Sequence, residues 1–200
     1  MRFRQFIPLS LLTGLLVVTL PASAQVVPSY SAHVVPLSIG IGPSSYDVDW
    51  GHGRMLGGTV WADWYPAKIQ SLTHLRGLGV EIEARDISLN RNLPAQTNMR
   101  QDTLSAGPIF SWHATPRFRP YFKGLLGDGS VDFSPNPGYS HDTRTVASYG
   151  GGLEYRFWGP LKFRSDYEYQ FWIGKLFHKT LNPQGFTIGV AYDLSYARNR

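Results

Sequence analysis

The chain has 200 residues, with 6 Trp, 11 Tyr and 11 Phe, 21 Gly, 14 Pro and no Cys; 42% of the side chains are hydrophobic and only 16% are charged. Such an aromatic chain is not disordered, and so much glycine excludes a helical bundle. Mean hydropathy is −0.20, and no internal apolar run reaches the 18 or so residues of a membrane-spanning helix. The length fits one domain.

Residues 1–24 place Arg2 and Arg4 ahead of the apolar stretch from Phe6 to Leu20 and end on Pro21-Ala22-Ser23-Ala24, followed by Gln25. This pattern reads as a secretory signal peptide that is removed on export. Taking away Arg2 and Arg4 leaves 17 basic against 14 acidic side chains, so the net charge falls from +5 to +3. Nucleic acid is therefore not an expected partner of the exported chain. Without Cys there is neither a disulfide framework nor a thiol for a lipid anchor.

The remainder divides into a lead-in over 25–36, a body over 37–196 and a tail over 197–200. In chain order the body predicts eight strands of alternating polarity, near 37–50, 56–67, 76–90, 102–115, 120–133, 145–158, 161–172 and 185–196. The connections 68–75, 116–119 and 159–160 belong to one end. Those at 51–55, 91–101, 134–144 and 173–184 belong to the other, and most of these are longer. Short turns at one end and longer loops at the other suit an up-and-down barrel.

Strand faces carry the argument. In the seventh, Lys162, Arg164, Asp166, Glu168 and Gln170 share one phase, while Leu161, Phe163, Tyr167, Tyr169 and Phe171 share the other with Ser165. Glu81, Glu83 and Arg85 stand opposite Leu78, Val80, Ile82 and Ala84 in the third strand. Glu154 and Arg156 do the same opposite Leu153, Tyr155 and Phe157 in the sixth. Adding Asp63, Lys123 and Asp193, the polar phase holds seven acids and five bases. Near-cancellation points to an interior network of ion pairs, because buried charges persist only when partnered. Aromatics gather at strand ends (Trp64, Tyr65, Trp112, Phe157, Trp158, Phe171, Trp172), as in girdles at two membrane interfaces. The reading is thus an all-β, eight-stranded antiparallel transmembrane barrel with charges inside and apolar side chains against lipid. Trp61 and Leu125 break the strict alternation.

These residues resemble the small eight-stranded outer-membrane β-barrels of the OmpA/OmpX type. The likeness covers nearly the whole body and is carried most specifically by Pro116-Arg117-Phe118-Arg119-Pro120-Tyr121-Phe122-Lys123-Gly124 and by Thr187-Ile188-Gly189-Val190-Ala191-Tyr192-Asp193-Leu194. The second segment looks like the C-terminal signal read by barrel assembly machinery, with Thr187, Gly189, Tyr192 and Leu194 in the recurring positions; the chain continues beyond it to Arg200. The resemblance implies a monomer in the cell outer membrane, in contact with lipid and lipopolysaccharide.

Chemistry of the catalytic kind is not legible. The six histidines have no metal-ligand spacing. Ser140-His141-Asp142 has triad residue types, but adjacent positions rarely converge. His113 reads as a hydrogen-bonded interior group near the short-turn rim. No catalytic residue, metal or cofactor is expected. Arg91, Arg100, Arg144, Lys175 and Lys179 fall in the predicted loops and are expected either to be solvated or to meet lipopolysaccharide phosphates. The functional expectation is a non-enzymatic outer-membrane barrel with a plugged lumen, for envelope integrity or surface interaction. The alternatives are a small-solute channel and a secreted, lipocalin-like binding barrel.

Overall fold

The computed structural model describes residues 36–47, 53–89, 98–112, 115, 117–134, 140–174 and 180–197. The signal-peptide reading, the lead-in except Pro36, and His113 lie outside these residues. The described residues form eight strands: β1 (Leu37–Asp47), β2 (Arg54–Trp64), β3 (Leu78–Leu89), β4 (Asn98–Ser111), β5 (Phe118–Ser134), β6 (Ser140–Trp158), β7 (Leu161–Trp172) and β8 (Gln184–Asp193). Each pairs antiparallel with its neighbour in sequence, and β1 pairs with β8, so the sheet closes into a barrel.

Alternation along the strands drives this arrangement. In β8 and β7 every second side chain is buried and the intervening ones are open to the outside. The outer wall carries Ile39, Ile41, Val60, Ile82, Leu104, Phe122, Leu126, Leu153, Phe163, Ile188 and Val190, all exposed. Aromatic clusters flank this band. Phe110, Trp112 and Phe122 pack together at the end that carries the short turns, and Tyr149, Tyr169 and Phe171 pack together nearer the other end.

Two prolines test the ladder. Pro43 in β1 and Pro108 in β4 have no amide to donate. Pairing of β1 with β8 is interrupted at Gly42 and Pro43, and that of β4 with β5 at Gly107 and Pro108. Each proline keeps its partner on the other side, Gly58 and Val80 respectively.

Several strand limits differ from the sequence expectation. β4, β5 and β6 are longer at the loop end, because polar pairs there (Ser130 with Thr143, Asp132 with His141) continue the ladder without apolar signal. The predicted second strand stops at Trp64. Pro66 cannot extend it, and a helical turn α1 (Ala67–Gln70) and a 3₁₀ turn (Thr73–Leu75) follow instead. Gln70 ties this turn down, donating to the Leu78 carbonyl at 2.7 Å and accepting from Gly77 N–H at 2.9 Å. The predicted eighth strand likewise ends at Asp193, and Leu194–Ala197 forms a helical turn, α2.

Inward glycines set how tightly the wall can coil. A Cβ on Gly152 would lie 2.1 Å from the Ser165 carbonyl oxygen of β7, whereas one on outward-facing Gly124 would meet nothing within 4 Å. Gly152→Val is therefore expected to destabilise the barrel by about 1–3 kcal/mol, and Gly124→Ala to be neutral. Denaturant midpoints in detergent micelles check this, and equal midpoints for the two variants would contradict it.

Candidate functional site: the barrel interior and its rim

The strands bring the polar phase together inside. β3 contributes Glu81, Glu83 and Arg85, β7 contributes Arg164, Asp166 and Glu168, and β2 and β5 contribute Asp63 and Lys123; all eight are buried. Strands β3 and β7 lie on opposite sides of an eight-strand ring, so these side chains meet across its axis.

Arg164 is the lower hub. Its guanidinium lies 3.2 Å from Asp63, 2.7 Å from Glu81 and 3.1 Å from Asp166. It also donates to the Tyr121 hydroxyl at 2.6 Å and stacks over the Trp61 and Tyr121 rings. Lys123 is the middle hub, ion-paired with Glu81 at 2.9 Å, Glu168 at 3.0 Å and Asp166 at 3.5 Å, and also with Glu83. Above it, Arg85 pairs with Glu83 and with Glu168 at 2.8 Å, donates to Thr59 at 3.0 Å, and lies over the Tyr46 ring. Each cation thus bridges at least two acids, which lets like charges stand side by side. Asp63 and Glu81 are direct cross-strand partners, a repulsive placement that Arg164 offsets.

Space for these long side chains comes from their neighbours. Glu168 sits between Gly150 on β6 and Gly185 on β8, and Gly189 faces Arg164. Bulk on one strand is matched by its absence on the next.

Toward the loop end the interior changes character. Tyr46, Met55, Ile87, Met99, Val131, Val146, Trp172 and Leu181 form an apolar layer. Between it and the charges runs a belt in which Gln101 donates to Gln170 (2.8 Å) and Gln170 to Glu168 (3.1 Å). The sequence reading missed this layer. Trp61 and Leu125, which break strict alternation, also point inward and are buried, but outside this layer.

At the short-turn end, Asp193 accepts from Arg156 at 2.8 Å and lies 3.3 Å from Lys162, which is itself 3.7 Å from Glu154. This cluster stands apart from the three hubs. All twelve residues of the expected interior network are therefore placed within it, in one large group and one smaller one. Of the four assembly-signal residues, Thr187 and Gly189 face inward on β8 and Tyr192 faces outward. Leu194 is the exception to the expected strand, for it lies in α2.

The expected loop cations are corrected. Arg100 is on β4 and Arg144 on β6, on strands rather than loops, and both are paired. Arg100 holds Asp86 through two hydrogen bonds, at 3.1 and 2.8 Å, and reaches Asp102 at 3.3 Å. Arg144 pairs with Asp142 at 3.0 Å. Arg91, Lys175 and Lys179 lie outside the described residues.

His141 and Asp142 of the Ser140-His141-Asp142 run do not converge, because successive side chains along a strand point to opposite faces. The imidazole Nδ1 of His141 instead meets Asp132 of β5 at 2.5 Å, and Nε2 lies 3.2 Å from the Thr143 hydroxyl. His141 and Thr143 are both exposed on the outer wall. No group of three or more His, Cys, Asp or Glu suited to a metal ion occurs among the described residues.

A wall that is apolar outside and charged within is inverted relative to a water-soluble barrel, and it suits lipid around the outside. The secreted, lipocalin-like alternative fails here, since its interior would have to be the apolar face. Residues 10–193 match the family model described as outer membrane protein beta-barrel domain.

The chain belongs to that family.

It is an outer-membrane β-barrel protein, and the short turns of such barrels face the periplasm. A comparison with curated proteins finds no match. Among solved structures it is similar to Neisserial surface protein A, at 13% identity and a TM-score of 0.62, covering 78% of this chain and 95% of that one. It is also similar to Ail, the attachment invasion locus protein of Yersinia pestis, at 18% identity and a TM-score of 0.56, covering 79% and 97%. Another Ail structure, in complex with the heparin analogue sucrose octasulfate, gives 18% identity, a TM-score of 0.57 and the same coverage. At these identities the likeness is one of fold.

Removing a hub leaves buried carboxylates without a counter-ion. Arg164→Met, of similar length, should cost about 3–5 kcal/mol, while Arg54→Met, in a pair exposed on both sides, should cost less than about 1 kcal/mol. Equilibrium unfolding in lipid vesicles measures both, and similar losses would deny the interior pairs their role.

Proposed function

We propose that this is a non-enzymatic outer-membrane protein whose lumen is plugged, serving envelope integrity or surface interaction, and that it is exported through the general secretory pathway with residues 1–24 as the cleaved signal. The observation that carries this reading is the pair of stacked seals inside the wall: three cationic hubs holding five carboxylates, and the apolar layer above them. An ion entering from the loop end meets hydrocarbon first and then a set of charges that already satisfy one another. Neither layer offers the hydrated path that conduction needs.

The non-enzymatic part rests on the same residues. The buried ionisable groups are spent on each other, and the His141 and Thr143 side chains stand in water, where nothing desolvates a nucleophile. Surface interaction is favoured by the long β5–β6 hairpin. Its 17 and 19 residues exceed the roughly 9–11 needed to cross a bilayer and carry Asp132, His141 and Arg144 above the apolar band. The fold it shares with Ail, which takes a heparin analogue, lends support to polyanion contact at this end. Lipopolysaccharide phosphate is the natural anion in that leaflet, met by Arg144, Lys175 and Lys179. During insertion the β8 segment is read by barrel assembly machinery, and the inserted protein is a monomer.

In planar bilayers the purified protein is expected to give no steady current, and Lys123→Ala, which leaves the apolar layer in place, to stay silent as well. Ohmic conductance from the unaltered protein would replace this reading with the small-solute channel. Changing Arg144, Lys175 and Lys179 together to Gln should weaken binding to lipopolysaccharide several-fold in a surface-plasmon assay; unchanged binding would remove the polyanion contact and leave the plug untouched.

A further inference from the structure

The two ends of the barrel carry opposite surface charge. Among the described residues, the carboxylates that reach solvent are Asp47, Asp86, Asp102, Asp128, Asp132 and Asp142, and all six stand in the loop-end half of their strands. They hold the arginines found there, Asp47 with Arg54, Asp86 with Arg100 and Asp142 with Arg144. In the turn-end half the acids Asp63, Glu81, Glu154, Asp166 and Asp193 are all buried. The Lys and Arg side chains exposed at that end are Lys68, Arg76 and Arg117, and among the described residues none of the three has a carboxylate within ion-pair reach.

Two of these cations bracket a compact segment. Between β2 and β3 the chain forms α1 and the 3₁₀ turn, fixed by the two hydrogen bonds of Gln70. The Leu72 N–H donates to the Ile69 carbonyl and the Leu75 N–H to the Leu72 carbonyl, both at 3.0 Å. Despite this order, Leu72 and Leu75 are 53% and 42% exposed, and Lys68, His74 and Arg76 are exposed on the same segment. Trp64, at the end of β2 just before it, is exposed on the outer wall. A tied-down turn that keeps two leucines outward, and carries cations and no acid, has the make-up of an element seated in a membrane interface, with its apolar side chains at the acyl boundary and its cations at the phosphates.

We propose that the segment 67–76 seats in the periplasmic leaflet and gathers anionic phospholipid there: Leu72 and Leu75 enter the acyl boundary, and Lys68 and Arg76 meet the head-group phosphate. Charge complementarity selects the occupant. Each Lys or Arg close to an anionic surface strengthens the contact by roughly fivefold. A zwitterionic ethanolamine head is disfavoured, because its ammonium would face two cations and, among the described residues, no exposed carboxylate at this end. Lipopolysaccharide occupies the opposite leaflet, on the loop side. This inference goes beyond the plugged-barrel reading and does not depend on the lumen, because every contact is made outside the ring.

The chain has no Cys, so Leu72→Cys can carry a single bimane label. The labelled, full-length exported protein is inserted into vesicles of equal parts phosphatidylglycerol and phosphatidylethanolamine, in which one lipid or the other has brominated acyl chains that quench the label on contact. Quenching by the glycerol lipid is expected to exceed that by the ethanolamine lipid, at a level that corresponds to a local enrichment of at least fivefold. With Lys68→Gln and Arg76→Gln added, the two lipids should quench alike; both side chains are exposed, so the double variant leaves no buried charge unpaired. Should the label at Leu72 prevent insertion, Leu75→Cys reports on the same segment. Absence of quenching by either lipid would place the segment in periplasmic water, facing a protein or the cell wall, and would overturn the proposal. Equal quenching without the Gln changes, or a preference that survives them, would overturn it as well. A current in planar bilayers would bear on the plug alone, so the two failures are distinguishable.

Discussion

Everything in this barrel depends on one constraint: inside hydrocarbon, each backbone N–H and C=O must find its partner within the protein. An open sheet leaves two edges unpaired. Pairing β1 with β8 removes both, which is why eight short strands separated by turns suffice. Closure in turn creates an enclosed volume that must be filled. At eight strands that volume is only wide enough for side chains, so the inward phase of every strand becomes a packing problem.

The solution is electrostatic where a soluble domain would use hydrocarbon. Burying a charge is costly unless another charge and further hydrogen bonds satisfy it, and the hubs meet this requirement by sharing. Lys123 touches four carboxylates and Arg164 three. Because those carboxylates come from β2, β3 and β7, the network braces opposite walls against each other. Glycines at Gly150, Gly185 and Gly189 provide the clearance, so the large and small residues of adjacent strands form one design. The apolar layer under the loops then separates this charged stack from the outside, and it has Trp172 as its largest member.

The outer wall follows a different logic, since lipid is its solvent. Its composition changes with height: aliphatic side chains in the middle, aromatic clusters near the ends, and paired Asp and Arg at the rim. Arg100 and Arg144 illustrate how strand continuation alters the meaning of a residue. In a loop each would be a free cation in water. On β4 and β6 each has a carboxylate within reach on an adjacent strand or two positions along its own, and the rim of β3–β4 becomes acidic rather than basic.

Much of this architecture is written in the chain. Period-two alternation in the segments holding Glu81–Arg85 and Lys162–Gln170 determines that there are strands, that their two faces differ, and which residues share a face, because side-chain direction along a strand is a local property. The aromatic strand ends add the membrane setting. Tertiary structure alone decided who pairs with whom. Nothing local tells Arg164 that it will meet Asp63, 101 positions away, because that contact exists only after closure brings β7 across from β2 and β3. The apolar layer around Tyr46 and Trp172, the helical turns after Trp64 and Asp193, and the capture of Arg100 by Asp86 have the same origin. Each depends on how neighbouring strands are staggered, and stagger is a property of the closed ring, whereas alternation belongs to the single strand.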